Sequence, residues 1–455
     1  MPWFGHGNAR AKTPEATSVL RSLIVLDGVP YPPIGGQQLR YRQTIEALSR
    51  LGEVQLLCFG RPGSQIHQRP GQPTSVWLNP KPPKSVLHAC TGLVAPRLKE
   101  RLRSAQRQTF LDQLRVRAAR AIGTAAPDLV VVASAGLAVY LPPLDGLGVP
   151  VVYDAHNVER ALWRDLTHLQ GELGDNNFNA RFRDRILAGE AALVEGAAQL
   201  WACSPSDADL FAATYGPMRP DVRVVPNTVD VASFASVARP LAQDASDRAP
   251  SLLFTGNFGY PPNLESAFCL SGEVLPLVRQ SAPRCRLVFC GRNPPAALLD
   301  LVAGDPGITV TGEIPDVRPW LASCDVVVVP LRHGGGTRLK ILEALAAACP
   351  VVSTVKGAEG LDIEHGRDLL LAETPDAISD AVLWCLANRI SAAEMAARGR
   401  ALVAARYSWE ANFLTVRAAI DRLSPTTTSM PAVRSADTDA AARALGRGEG
   451  PIARG

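Results

Sequence analysis

Ten short apolar runs, each followed by a loop or a helix-forming stretch, set the tightest limit on what this 455-residue chain can fold into. Five of them, SLIVL, VQLLCF, DLVVVAS, PVVYDAH and QLWACS, come before residue 205, and five more, SLLFTGNF, CRLVFCG, ITVTGEI, CDVVVVPL and CPVVST, come after residue 250. Apolar strands separated by helical stretches read as open, mostly parallel sheets covered by helices. The fold class is therefore α/β, and 455 residues with 47% apolar content exceed what one core accommodates, so two domains are expected.

The boundary falls in a stretch rich in Asp, Pro and Ala. This gives an N-terminal extension over 1–20, a first α/β domain over 21–231, a linker over 232–250 and a second α/β domain over 251–405. YSWEANFLTVRAAIDRL then reads as an amphipathic helix within 406–424, and the Thr-, Ala-, Arg- and Gly-rich tail over 425–455 is too poor in apolar residues to order itself.

A net charge of +4 without a nucleic-acid-binding module argues against nucleic acid as a partner. The nine cysteines form no C-x-x-C pair and read as reduced core residues. With no signal-peptide core and no apolar run of roughly eighteen residues, the expected location is cytoplasmic. Residues 81–120 carry ten Lys or Arg against two acids, interleaved with apolar residues including Phe110, Leu111 and Leu114. Such a segment can rest peripherally on an anionic membrane face, or be a solvated helix face.

The most informative motif is GGGTRLKILE, residues 334–343, directly after DVVVVPLRH. Three successive glycines are better explained by a loop that approaches a ligand than by regular structure. The helix that follows offers unpaired N–H groups and the positive end of its dipole, a seat for a pyrophosphate. Thr337 and Arg338 stand at that mouth, with Gly335 and Gly336 before them. Lys340 and Glu343, three apart on one helix face, suit a phosphate and ribose hydroxyls respectively.

Together with PPIGGQQLRYRQTIEAL, VYDAHNVERALW, ACSPSD, VVPNTVD, FTGNFGYPPN, FCGRNP, VTGEIPDVRPWLASCDVVVVPL and KGAEGL, this motif makes the chain resemble the GT-B glycosyltransferases of family 4 from about Leu23 to Leu423. The resemblance implies two Rossmann-like domains facing across a cleft, the second holding a nucleotide-diphosphate sugar and the first shaping the acceptor site. It implies transfer to a glycan, lipid-linked or small-molecule acceptor, with retention and without a cofactor or metal. By resemblance, Gly35 and Gly36 approach the donor, and His156 lies by the reaction centre with Asn157 and Glu159 on the acceptor side. In the second domain Gly256, Asn257 and Arg292 end strands toward the donor. Glu313 and Ile314 lie by the base, and Glu359 and Gly360 run near the phosphates and sugar.

Two departures stand out. Gly335 occupies the place where many members carry the first of two glutamates, and Asn257 and Phe258 replace a basic pair, leaving the pyrophosphate charge to Arg338, Lys340 and Arg292. A sugar-nucleotide epimerase on the same scaffold and a non-catalytic homologue are the alternatives.

Overall fold

The computed structural model describes residues 19–28, 30–31, 35–60, 73–79, 96–173, 180–235, 237, 248–336 and 338–423. The first domain runs β1 (Leu20–Leu26), α1 (Gly36–Ser49), β2 (Gly52–Phe59), β3 (Thr74–Leu78), α2 (Pro96–Ala125), β4 (Leu129–Val132) and β5 (Val151–Asp154). It continues through α3 (Glu159–Leu173), α4 (Ala180–Gly196), β6 (Gln199–Ala202), α5 (Pro205–Tyr215) and β7 (Asp221–Val224). Its strands form one parallel sheet in the order β3-β2-β1-β4-β5-β6-β7.

The second domain runs β8 (Ser251–Thr255), α6 (Pro261–Cys269), α7 (Leu275–Ser281), β9 (Arg286–Cys290), α8 (Ala296–Val302), β10 (Ile308–Val310) and α9 (Arg318–Ser323). Then come β11 (Val326–Val329), α10 (Leu339–Ala346), β12 (Val351–Ser353), β13 (Leu370–Leu371), α11 (Pro375–Ala387), α12 (Arg389–Arg406) and α13 (Trp409–Asp421). Its sheet is also parallel, ordered β10-β9-β8-β11-β12-β13.

All four valines of β11 are buried, as a central strand covered on both faces requires. In each sheet the order reverses beside the first strand, between β1 and β4 and between β8 and β11. Ligands of open α/β sheets settle beyond the carboxyl ends at such a reversal. The ten apolar runs all become strands. The remaining three strands, β3, β7 and β13, lie at sheet edges and lack the apolar signal: β3 exposes Thr74 and Val76, and β13 is two residues long.

Eight of the cysteines are buried, while Cys90 lies outside the described residues. Leu114, Ala118 and Ile122, four apart on α2, are buried in the first domain's core, with Phe110 and Leu111 packed against it. These apolar residues face inward because the sheet needs that cover. Residues 81–95 lie outside the described residues, as do 1–18 and 424–455. Among the described residues no helix is long and apolar enough to cross a membrane.

The chain passes between the domains twice, and both passages meet at α1. On the way out, Gln43 donates to the Pro226 carbonyl at 2.7 Å and accepts from the Thr228 N–H at 2.7 Å. On the way back, the Val229 N–H donates to the Tyr407 carbonyl at 2.8 Å, and α13, capped by Ser408, lies along α1. Gln43 also donates to Asn412 at 2.9 Å, Arg42 stacks on Trp409, Arg50 pairs with Glu410, and Val416, Ala419 and Ile420 enter the first domain's core.

One turn earlier, Arg40 is 1% exposed and forms an ion pair with Asp154, 0% exposed, at 2.5 Å. Asp154 also accepts from Thr44 at 2.7 Å, while Arg40 donates to the Val225 carbonyl and to Asn227. Removing one member of such a pair strands a charge in low dielectric. Arg40→Met should therefore lower stability by about 3–5 kcal/mol, seen as a fall in the denaturation midpoint. Arg40→Met with Asp154→Leu should recover much of the loss, and a single variant as stable as the parent would refute this role.

Candidate functional site

The carboxyl ends of five neighbouring strands of the second domain carry the residues singled out in the sequence. Gly256 and Asn257 follow β8, Gly291 and Arg292 follow β9, and Glu313 and Ile314 lie beyond β10. Residues 334–338 follow β11, and Glu359 and Gly360 follow β12.

Gly291 has φ +153°, and a Cβ there would sit 1.7 Å from the Gly256 carbonyl oxygen, so no other residue fits that crossing. Asn263, which sequence reasoning missed, joins three of these pieces. It lies against Gly256, donates to the Asn257 carbonyl at 2.9 Å, and accepts from Lys340 Nζ at 2.8 Å. The same ammonium stands 4.1 Å from the centre of the Phe254 ring. Burial, and then the neighbouring Arg338 cation, push the Lys340 pKa well below its ordinary value.

Arg338 stands at the mouth of α10 as its N-cap residue. It is 7% exposed and turns back on its own loop, donating to the Gly334 carbonyl at 2.7 Å and to that of Gly335. Its Nε is buried without a hydrogen-bond partner. The guanidinium thus braces the glycine loop, because Gly334 at φ +102° and Gly336 at φ +75° turn carbonyls toward it. Glu359 lies 4.0 Å from this guanidinium and pairs with Lys356 at 2.6 Å. Glu343 lies on α10 beyond Lys340, and burial lifts its pKa from 4.5 to about 7, with Lys340 pulling the other way. Glu313 is exposed, Ile314 packs on the core, and Thr337 lies outside the described residues.

The first domain meets this surface closely. A Cβ on Gly35 would come 3.0 Å from Arg292 Nη2, and one on Gly36 would touch Leu339 at 3.5 Å. Asn157 faces the glycine loop: its Oδ1 would be 3.3 Å from a Cβ on Gly335 and 2.7 Å from one on Gly336. Tyr260, also unforeseen, puts its hydroxyl 2.8 Å from a Cβ on Gly334.

His156 follows β5, two residues after Asp154, with Tyr41 packed edge-on against its ring at 5.4 Å. Burial, then the Arg40 cation, lower its pKa from 6.5 to about 4, against the pull of Asp154 and a backbone hydrogen bond at Ala133. The ring is neutral at neutral pH, and its Nε2 is buried without a partner. Glu159 opens α3, where fully buried Glu190 accepts from the N–H groups of Glu159 at 2.6 Å and Arg160 at 2.9 Å and from the Tyr215 hydroxyl. That carboxylate caps the helix from a distance, a partner no local sequence pattern announces. Burial and the charge of Glu190 raise Glu159 to about 7.

Residues 35–228 match the model of the glycosyl transferase 4-like domain, and residues 249–388 match that of glycosyl transferases group 1. The chain belongs to the group 1 glycosyl transferases and has their GT-B fold.

A D-inositol 3-phosphate glycosyltransferase of Pseudarthrobacter chlorophenolicus is 30% identical to this family member over 239 residues, 50% of this chain and 54% of the relative. A GDP-mannose-dependent phosphatidylinositol monomannoside mannosyltransferase of Mycobacterium tuberculosis is 30% identical over 30% of this chain and 39% of its own length. The chain thus spans about half the length, or less, of these relatives. Among solved structures, HepE of Anabaena superposes with a TM-score of 0.61 at 14% identity, covering 88% of this chain and 99% of that one. Sucrose-phosphate synthase of Thermosynechococcus elongatus gives 0.62 at 18% identity over 89% of this chain and 99% of that one.

The raised pKa of Glu343 has a consequence for stability. The folded state holds its proton more tightly than the unfolded state, so the stabilisation is complete below about 4.5 and is lost as pH rises through about 7. Glu343→Gln should gain thermal stability relative to the parent between about pH 5 and about pH 8. A constant difference between the two unfolding midpoints across that range would refute the shift.

Proposed function

We propose that this protein transfers a sugar from a nucleotide-diphosphate donor to a hydroxyl of a glycan, lipid-linked or small-molecule acceptor. The observation that carries this reading is the convergence of a glycine loop, a helix N-terminus, Lys340 and Arg292 beyond five parallel strand ends, directly opposite His156. The N–H groups opening α10 and the Lys340 ammonium suit the pyrophosphate, with Arg292 reaching it from β9 and Arg338 holding the loop in shape. Glu343, once ionised, accepts from the ribose hydroxyls, and the base lies by Glu313 and Ile314. The nucleotide classes named for similar proteins differ, UDP for HepE and GDP-mannose for the mannosyltransferase, so they support a nucleotide sugar without selecting its base.

In the reaction the bond from the anomeric carbon to the β-phosphate oxygen breaks and the acceptor oxygen bonds to the same carbon. The acceptor proton passes to the departing phosphate, and the products are a glycoside and a nucleoside diphosphate. Negative charge gathers on the leaving group, where preorganised N–H groups and cations lower the barrier most. They do so without a divalent ion, and family membership favours retention by same-face attack. Neutral His156 offers its unpartnered Nε2 to a sugar hydroxyl.

Calorimetric titration with UDP, GDP, dTDP and ADP in the presence of a chelator tests the donor site. One nucleotide should bind, and Glu343→Ala should weaken it about tenfold, since a hydrogen bond to a charged group contributes about 1.5–3 kcal/mol. Failure of all four to bind would overturn the donor site.

A further inference from the structure

Asn263 joins two strand ends across the reversal in strand order of the second sheet. It stands in the first turn of α6, which follows β8, while Lys340 stands in the first turn of α10, which follows β11. The order reverses between β8 and β11, and ligands of open α/β sheets settle beyond such a reversal. The bond from Lys340 Nζ to Asn263 Oδ1, 2.8 Å long, therefore crosses the crevice assigned above to the pyrophosphate.

The amide that accepts this bond is held in one orientation. Its Nδ2 donates to the Asn257 carbonyl at 2.9 Å, the Asn263 backbone N–H donates to the Tyr260 carbonyl at 3.0 Å, and the residue is 8% exposed. Turning the amide over would set its oxygen against a carbonyl and its N–H groups against an ammonium. Gly256 makes the room for it, since a Cβ there would lie 2.9 Å from Asn263 Nδ2 and 3.0 Å from its Cγ. One side chain thus ties the loop after β8 to the cation on α10.

The Lys340 ammonium has three N–H groups, and among the described residues its one side-chain hydrogen bond goes to Asn263. The Phe254 ring, 4.1 Å away, offers it a π face on another flank. Burial works against the charged form of this lysine, and an acceptor on the ammonium supports it. Because the acceptor is a neutral amide, it fixes the ammonium without cancelling the charge, as a carboxylate in its place would do. We infer that Asn263 is a positioning residue for the donor: it aims Lys340 at the pyrophosphate and leaves the lysine's charge and remaining N–H groups for phosphate oxygens. This inference rests on the transferase reading above and adds to it a residue that acts through Lys340.

The test is calorimetric titration of the full chain with the nucleoside diphosphate that binds it and with the matching nucleoside monophosphate. The parent should prefer the diphosphate. Asn263→Ala should narrow that preference about tenfold by weakening the diphosphate more than the monophosphate, the scale of a hydrogen bond to a charged group. In a Lys340→Met background the same substitution should change diphosphate affinity by less than about twofold, because residues acting as a unit are not additive. A role confined to packing would weaken both nucleotides alike and would add to Lys340→Met. Should Asn263→Ala fold poorly, Asn263→Asp keeps the shape of the side chain and should also narrow the preference, since its carboxylate offsets the ammonium and repels phosphates. No preference in the parent, a parent-like preference in the folded variant, equal weakening of both nucleotides, or full additivity with Lys340→Met overturns the inference. With diphosphate binding by the parent intact, each of these results leaves the donor site standing. Failure of the parent to bind any nucleotide overturns both.

Discussion

A guanidinium and a carboxylate withdrawn from water hold this structure's working parts in register. Arg40 and Asp154 each lose hydration that only the other, with Thr44, Asn227 and the Val225 carbonyl, can replace. Because Arg40 stands on the helix that starts at Gly36 and Asp154 stands two residues before His156, their geometry relates the glycine turn to His156. Because Arg40 also holds the chain at 225–227, the same pair anchors the outgoing connection to the second domain. Gln43, one turn on, anchors both the outgoing chain and the returning helix. The positions of the two halves of the cleft thus trace to one face of α1.

The second domain contributes Lys340, Arg338, Arg292 and the start of α10, a field suited to a pyrophosphate. The first domain contributes His156, whose ring is neutral at neutral pH. Burial does much of this tuning. It lowers Lys340 and His156 while raising Glu343 and Glu159, so charges whose separation in sequence says little come to share one environment. Glycines let the sides approach: Asn157 reaches the loop at Gly335 and Gly336, and Arg292 reaches Gly35, where any side chain would intervene.

Much of the scaffold was legible before any coordinates. Runs such as VVVV are continuous because buried parallel strands face helices on both sides, and all ten became strands. Edge strands β3, β7 and β13 escaped notice, since an edge needs no such run. The sequence also marked the strand-end residues of the site. It did not show that the Arg338 guanidinium donates to carbonyls of its own loop, or that Leu114 is buried in the first domain's core with Phe110 and Leu111 packed against it. In each case the side chain's use depends on which surface lies nearest.

By itself, then, the sequence determined the element types, their order and the glycine turn that precedes α10, because these follow from local periodicity and backbone sterics. Tertiary structure decided which distant groups became partners: Asn263 with Lys340, 77 residues apart, Glu190 with the start of α3, and Arg40 with Asp154, 114 residues apart. Those pairings arise when burial removes water as the competing partner, and no short stretch of sequence records where that will happen.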